Sequence, residues 1–134
     1  MNLTFVDSGV LLAAFRATDR EGRLALAILD DKERAFASSV FVRLETIPKP
    51  KFFKREVELQ FYEEFFRRVS KWATNDSGLM DAALEVAESA GLAALDALHL
   101  AAAHQTQCKE FVTTEKHTKP IHRTNLMAIK TIHS

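Results

Sequence analysis

Four acidic residues occupy positions where an isolated surface charge is not expected. Asp7 directly follows the apolar run at 3–6, and Glu115 comes soon after a second β-prone run. Glu45 lies at the edge of a helical apolar stripe, and Asp96 lies inside the apolar stretch "LAALDALHLAAA". An unpaired ionised carboxylate is unfavourable in apolar surroundings, so such a group is neutralised, paired with a cation or bound to a metal.

Clustered carboxylates repel one another, and their natural complement is a hard divalent cation bound through oxygen. In open parallel α/β sheets the ligand crevice lies at the carboxyl ends of the strands, where Asp7 and Glu115 are expected. Mg²⁺ uses few protein carboxylates, keeps several waters and pairs with substrate phosphates. The four acids together therefore indicate phosphoryl chemistry.

Each acid also has a simpler explanation when it is considered alone. Asp7 can cap the helix that follows it, and Asp96 can be the N-cap of a helix that starts at Ala97. Glu45 can be an exposed residue at the boundary of an apolar face, and Glu115 can be a solvent-facing loop residue. These explanations remain open at the level of the sequence.

Short β-prone segments alternate with longer segments of helical periodicity. The strands are predicted at 3–6, 34–39, 71–75, 110–114 and 127–132. Alternation of this kind predicts a mainly parallel sheet of about five strands with helices on both faces. No second domain or repeat is evident, so residues 1–134 are predicted to form one α/β domain.

The helices are placed by apolar residues at helical spacing and by their end signals. They are predicted after Asp7, over 21–34, from 40 to a stop at Pro48, over about 55–70, over 79–90 with Gly91 as the C′ residue, and from the opening of "LAALDALHLAAA" to about 106. The stretch 49–55 is expected to be a basic, aromatic connection.

Composition favours a folded intracellular domain. Of the 134 residues, 47% are hydrophobic and 27% are charged, which is typical of globular chains. The single Cys108 excludes an internal disulfide and fits a reducing compartment. Neither a signal peptide nor a membrane-spanning run is evident, so a cytoplasmic location without membrane attachment is predicted.

The net charge is zero, but the charges are unevenly distributed. Residues 72–108 carry five acids and no Lys or Arg, whereas the segments on either side are basic. Solvated helix faces explain this pattern, and so does an acidic metal site rimmed by cations that act on a polyanion. Charge alone does not choose between the two.

Four motifs in this order resemble those of the PIN-domain family, which includes the VapC-type toxins of toxin–antitoxin pairs. They are "TFVDSGVLLAAF", the Glu within "SSVFVRLETI", "LDALHLAAA" and "FVTTEK", and the resemblance covers residues 2–133. It implies a three-layer α/β/α fold around a central, mainly parallel sheet. It also implies a site that binds Mg²⁺ or Mn²⁺ through clustered acids.

The resemblance assigns roles to particular residues. Asp7, Glu45 and Asp96 match the family's first three acids, and Glu115 falls at the fourth, which is commonly Asp. Asp7 and Asp96 are then the main metal ligands, Glu45 a second ligand or the residue that orients a water, and Glu115 a ligand of a second ion or of its hydration shell. Two hydroxyl residues, Ser8 and Thr113, match positions that hold the carboxylates in place.

The hypothesis is a metal-dependent endoribonuclease that hydrolyses RNA phosphodiester bonds, with an antitoxin and a second copy of the chain as further partners. Candidate phosphate contacts are Lys49, Lys51, Arg55, Lys116, Lys119 and Arg123. His99 is expected to be a semi-buried structural residue rather than a ligand. The alternatives are a catalytically weak module that binds RNA or a protein, and a helical interaction protein whose acids are caps and surface groups.

Overall fold

The computed structural model describes residues 2–133, and its centre is a five-stranded sheet. The strands are β1 (Asn2–Val6), β2 (Arg34–Ser38), β3 (Val69–Trp72), β4 (Glu110–Thr113) and β5 (Ala128–Thr131). Their spatial order is β3-β2-β1-β4-β5, and each neighbouring pair is parallel. The predicted α/β class and the parallel sheet of about five strands are confirmed.

Helices form the connections between the strands. They are α1 (Ser8–Arg16), α2 (Arg20–Leu29), α3 (Val40–Thr46), α4 (Pro48–Phe52), α5 (Glu56–Arg68), α6 (Ser77–Ala90) and α7 (Ala94–Gln105), followed by a short 3₁₀ helix (Pro120–Arg123). Within residues 2–133 no single helix is long and apolar enough to cross a bilayer, although α6 and α7, bent by 118° at their junction, pass that test together by length and composition.

The core has two aromatic centres, one on each face of the sheet. The β1–β2 register pairs Phe5 with Ala37 and Thr4 with Phe36, so Phe5 and Phe36 point to opposite faces. Phe5 stacks on Phe111 of β4 with ring centroids 5.5 Å apart, and α7 covers this face. Phe36 packs edge-on against Phe65 of α5 at 5.3 Å. This arrangement fits the three-layer organisation implied by the resemblance.

Three predicted boundaries are wrong, each for a local reason. The helix predicted over 21–34 ends at Leu29, because the chain turns there to enter β2. The connection predicted over 49–55 is partly helical: Pro48 ends α3 as expected but also begins α4, since proline is favourable at the first position of a helix. The strand predicted at 71–75 lies at Val69–Trp72, directly after α5.

Two other helices have clear end signals, and the predicted C′ position of Gly91 is confirmed. Ser39 caps α3 by accepting a hydrogen bond from the backbone N–H of Phe41 at 3.2 Å. Gly91 follows α6 with a φ of 69°, the left-handed conformation in which a residue without a side chain is favoured. This turn redirects the chain from α6 into α7, which carries Asp96.

Candidate active site

The site lies where the direction of chain progression across the sheet reverses. The chain passes from β1 to β2 and β3 on one side of β1, and then crosses to β4 and β5 on the other side. The carboxyl ends of β1 and β4 therefore border the topological switch point, which is where parallel α/β sheets bind ligands. Asp7 follows β1 and Glu115 follows β4, as the sequence predicted.

Asp7 is held by two hydrogen bonds and is almost fully buried. Its Oδ1 accepts from the backbone N–H of Val10 at 3.1 Å, which caps α1, and its Oδ2 accepts from the Thr113 hydroxyl at 2.6 Å. Only 7% of the residue is exposed. Burial raises the pKa of the Asp7 carboxyl to about 6, although these hydrogen bonds and the nearby His99 act to lower it. Asp7 is thus both a helix cap and a member of the site.

Thr113 links the carboxyl ends of β1 and β4. Its hydroxyl donates to Asp7 and accepts a hydrogen bond from the backbone N–H of Glu115 at 3.1 Å. The backbone carbonyl of Glu115 is held by the Thr131 hydroxyl at 2.6 Å and lies 3.0 Å from the His122 Nε2. The backbone at the fourth acid is therefore fixed by contacts from β4, β5 and the 3₁₀ helix.

Glu45 reaches the site from α3 and is held by two other helices. Its Oε1 accepts from the Ser8 hydroxyl at 3.0 Å and lies 2.5 Å from the His99 Nε2. The hydrogen bond to His99 is the main reason that the pKa of the Glu45 carboxyl lies below its ordinary value. Ser8 thus supports a carboxylate of the site, and that carboxylate belongs to Glu45.

Asp96 is the third residue of α7, not the N-cap of a helix that begins at Ala97. The helix starts at Ala94 after the N-cap residue Ala93, which rules out the alternative in which Asp96 is only a helix cap. Asp96 lies in the first turn, where the helix dipole favours a negative charge. Burial, followed by the charge of Glu115, raises the pKa of the Asp96 carboxyl; His99 acts to lower it and Glu45 to raise it.

The charges of the acids act on one another, so the four carboxylates lie in the same region of the molecule. Asp96 responds to the charges of Glu115 and Glu45, and Asp7 responds to the charge of Asp96. Within residues 2–133, however, no three Asp, Glu, His or Cys side chains already form a shell that could hold one ion. An open, all-oxygen donor set of this kind fits Mg²⁺ or Mn²⁺, because Mg²⁺ usually keeps several waters and takes one or two carboxylates.

The family model of the PIN domain matches residues 4–122, which contain all four acids and most of the chain. The chain belongs to the PIN-domain family. No curated protein sequence matches this PIN domain significantly.

Solved structures similar to this PIN domain are toxin–antitoxin complexes. VapBC2 from Rickettsia felis bound to a promoter DNA fragment has a TM-score of 0.71 at 16% identity and covers 96% of this chain and 98% of that one. DNA-bound VapBC from Salmonella typhimurium gives 0.71 at 14%, covering 98% and 99%. A toxin–antitoxin complex from Klebsiella pneumoniae gives 0.70 at 17%, covering 98% of each. At these identities the likeness establishes the fold.

The basic residues predicted to contact RNA lie in two regions of this PIN domain. Lys49 and Lys51 are exposed on α4, and Arg55 just after it lies over the Phe53 ring and 4.0 Å from Glu58. The exposed Lys116 and Lys119 lie in the segment after β4. The sixth residue, Arg123, donates a hydrogen bond to the Ala90 carbonyl at the end of α6, at 3.2 Å. Their contacts with RNA remain predictions.

The contact that the sequence did not reveal is the one between His99 and Glu45. The spacing of three residues between Asp96 and His99 placed both on one side of α7, and that spacing was the only available signal. Glu45, the partner of His99, lies 54 residues away from it in sequence. His99, predicted to be a structural residue, contacts one of the predicted metal ligands directly.

Proposed function

We propose that this PIN domain is a divalent-metal-dependent endoribonuclease that hydrolyses RNA phosphodiester bonds. The observation that carries the proposal is the set of carboxylates at the switch point of the sheet. Their hydrogen-bond partners are hydroxyls, backbone N–H groups and one imidazole. The site therefore keeps its negative charge, and a cation is the natural complement.

Asp7 and Asp96 would be the main ligands, because among the four acids these are the two whose net pKa is raised, mainly by burial. Glu45 would serve as a further ligand or orient the attacking water, and Glu115 would hold a second ion or its hydration shell. A bound divalent ion supplies polarisation of the scissile phosphate and lowers the pKa of a water. Thr113 keeps Asp7 in place and Ser8 keeps Glu45 in place through the hydrogen bonds described above.

RNA is the proposed substrate on two grounds. PIN domains include many ribonucleases, and exposed lysines lie on α4 and after β4, in the segments that follow Glu45 and Glu115 in the chain. Lys49, Lys51, Lys116 and Lys119 would attract the phosphate backbone, because such contacts supply most of the sequence-independent affinity for nucleic acids. Their individual removal is expected to weaken RNA binding at low salt more than at high salt.

The test is cleavage of an end-labelled structured RNA with Mg²⁺, with Mn²⁺ and with EDTA. We expect cleavage only with a divalent ion, and a loss of at least about 100-fold in Asp96→Asn, since loss of a residue that merely supports a metal site already reduces activity by up to about that factor. Asp81→Asn, which changes an exposed acid on α6, is the matched control. Equal cleavage by wild type and Asp96→Asn would refute the proposal.

The second candidate is a catalytically weak module that binds RNA or a protein. Two observations favour it: the fourth acid is Glu115 where the family commonly has Asp, and the described acids do not form a ready three-ligand shell. It predicts RNA or protein binding without divalent-dependent turnover. Binding that persists unchanged in Asp96→Asn, together with no cleavage by either protein, would favour this candidate.

We further propose a protein partner for the surface formed by α3, α4 and the start of α5, which we call the α4 surface. It exposes four large apolar side chains: Leu44, Phe52, Phe53 and Val57. The most exposed of them is Phe52, at 78%. Contiguous exposed apolar groups mark interaction sites. The similar solved structures are complexes of a toxin with its antitoxin. The proposed role of this domain is therefore that of the cytoplasmic toxin of such a pair, and its proposed oligomeric state is a homodimer.

Light scattering and co-expression with the product of a neighbouring short gene test this partner proposal. Phe52→Ser and Phe53→Ser should abolish the homodimer, the antitoxin complex or both. Leu84→Ser changes an equally exposed leucine on α6 and should abolish neither. If the three variants behave alike, the α4 surface is not the interface.

A further inference from the structure

His99 is an unusual residue for the centre of α7. Its side chain is 2% exposed, and its ring lies 6.2 Å from the ring of Phe5 in the core. The Nε2 atom lies 2.5 Å from Oε1 of Glu45. The other ring nitrogen, Nδ1, is buried and has no hydrogen-bond partner within residues 2–133.

Packing and stability do not account for this residue. A buried ring nitrogen without a partner is unfavourable, and each such group calls for a specific explanation. The neighbouring positions of α7, Leu98 and Leu100, carry side chains that pack without any polar atom. Among residues 2–133, Glu45 is the only polar partner of His99, so this contact is the one that a histidine provides and a leucine would not.

The Glu45 carboxylate needs external support to keep one orientation. Its side chain is long, has three rotatable bonds and is 30% exposed, so it would otherwise sample several rotamers. A carboxylate accepts hydrogen bonds and does not donate them, so in this contact the His99 Nε2 is the donor. Ser8 donates to the same oxygen, so Oε2 is the oxygen left for an ion or a water.

We propose that His99 is a positioning residue: from α7 it holds the Glu45 carboxylate of α3 in the orientation that the metal site requires, without touching metal or substrate. The inference rests on the proposed function, because it concerns one of the proposed ligands. The rigid, buried imidazole fixes Glu45 before an ion arrives, so less conformational freedom is lost on binding. Ser8, on α1, provides a second and more exposed support.

Two substitutions of nearly equal polarity separate positioning from packing. In His99→Gln the side-chain amide nitrogen lies about where Nε2 lies and can still donate to Glu45. In His99→Asn it is one carbon shorter, lies near the Nδ1 position and cannot reach. Calorimetric titration with Mn²⁺ should give wild-type affinity within about threefold for His99→Gln and a loss of about tenfold or more for His99→Asn.

A double-mutant cycle with Glu45→Ala shows whether His99 acts through Glu45. If it does, His99→Asn should change Mn²⁺ affinity in the wild-type background and have almost no effect in Glu45→Ala. Ser8→Ala, which leaves the core intact, should weaken Mn²⁺ binding in the same direction by a smaller factor. This variant keeps the inference testable if His99→Asn does not fold.

The possible failures are distinguishable. If wild type binds no Mn²⁺ in the titration, both the metal-dependent function and the role of His99 are overturned. If wild type binds Mn²⁺ but His99→Gln and His99→Asn have equal affinities, or the loss in His99→Asn persists in Glu45→Ala, only the role of His99 is overturned. A loss confined to His99→Asn that disappears in the Glu45→Ala background supports it.

Discussion

Two acids at opposite ends of the sheet, Glu110 and Asp7, have opposite pKa shifts. At the amino end, Glu110 of β4 accepts hydrogen bonds from the Arg34 guanidinium at 2.7 Å and the Thr4 hydroxyl at 2.9 Å. Burial alone would raise the pKa of the Glu110 carboxyl, but these contacts outweigh it and the pKa lies below its ordinary value. At the carboxyl end the hydrogen bonds to Asp7 do not outweigh burial, and its pKa rises to about 6.

This difference distinguishes acids that stabilise the fold, at the amino end of the sheet, from acids of the candidate site, at the carboxyl end. At the amino end Arg34 also pairs with Asp31 at 2.9 Å, so both carboxylates there have a cationic partner within the chain. At the carboxyl end, within residues 2–133, no Lys or Arg pairs with Asp7 or Asp96, and burial outweighs the favourable effect of His99 on their pKa values. Such a site lowers stability in exchange for the ability to bind a cation.

The largest effect is expected from Asp7→Asn. Asn can still cap α1, but it removes the charge that would bind the ion, so cleavage should fall at least about 100-fold. The same change removes the unfavourable free energy of keeping a buried carboxylate ionised in the folded state. At pH 7.5 without metal, urea unfolding should show a stability higher by about 2 kcal/mol, because the raised pKa of Asp7 corresponds to about 3 kcal/mol of destabilisation, part of which is offset by the weaker hydrogen bonds of a neutral amide. Lower stability in Asp7→Asn would contradict this account.

The pH dependence of unfolding should isolate the contribution of Asp7. Its folded pKa, about 6, lies above the value of 3.8 expected in the unfolded chain, so the folded state binds the proton more tightly. The contribution of Asp7 to stability is therefore fully present below pH 3.8 and is lost as the pH rises to about 6.

The difference in unfolding free energy between Asp7→Asn and wild type, measured without metal from pH 4 to 8, cancels the other titrating groups. It should be largest above pH 6, where Asp7 is ionised in both states of the wild type, and should fall by roughly 2 kcal/mol to near zero toward pH 4. A difference that does not change with pH would show that Asp7 is not held at a raised pKa.

At the amino end, Glu110→Ala should have the opposite effects: it should lower the stability and leave cleavage almost unchanged. Removal of the carboxylate leaves the largely buried Arg34 without one of its two partners and Thr4 without its acceptor. Stability should fall by about 2 kcal/mol, since hydrogen bonds to charged groups contribute about 1.5–3 kcal/mol. Metal-dependent cleavage at a temperature well below the unfolding midpoint should change by less than about twofold. A loss of cleavage comparable with that of Asp7→Asn would remove the distinction between the two ends.

The carboxyl end was largely predictable because strand ends are local signals. Apolar runs placed β1 and β4, and their order along the chain placed Asp7 and Glu115 at one edge. The start of α7 was predicted to within two residues from its apolar run, although Ala93, its N-cap, has no capping side chain. The support of Glu45 was not predictable, since it depends on how α3 packs against α7 across many intervening residues.

The amino end was not predicted at all, for the same reason. The residues Arg34 and Glu110 are 76 positions apart, and each looks like an ordinary exposed charge in its own segment. Only the parallel pairing of β1 with both β2 and β4 brings the starts of these strands together. Sequence patterns thus indicate which end of a strand an acid occupies, but not which cation or hydroxyl meets it.

The smallest effect is expected from Thr113→Val, which removes a hydroxyl and preserves the shape of the side chain. Asp7 then loses the hydrogen bond that most strongly opposes the effect of burial, so its pKa should rise further above 6. Stability should fall by about 1 kcal/mol. Mn²⁺ binding, which needs the ionised carboxylate, should shift its pH midpoint upward, whereas binding at pH 8 should change little. If binding at pH 8 falls as much as binding at pH 6, Thr113 acts through the backbone of Glu115 and not through the charge of Asp7.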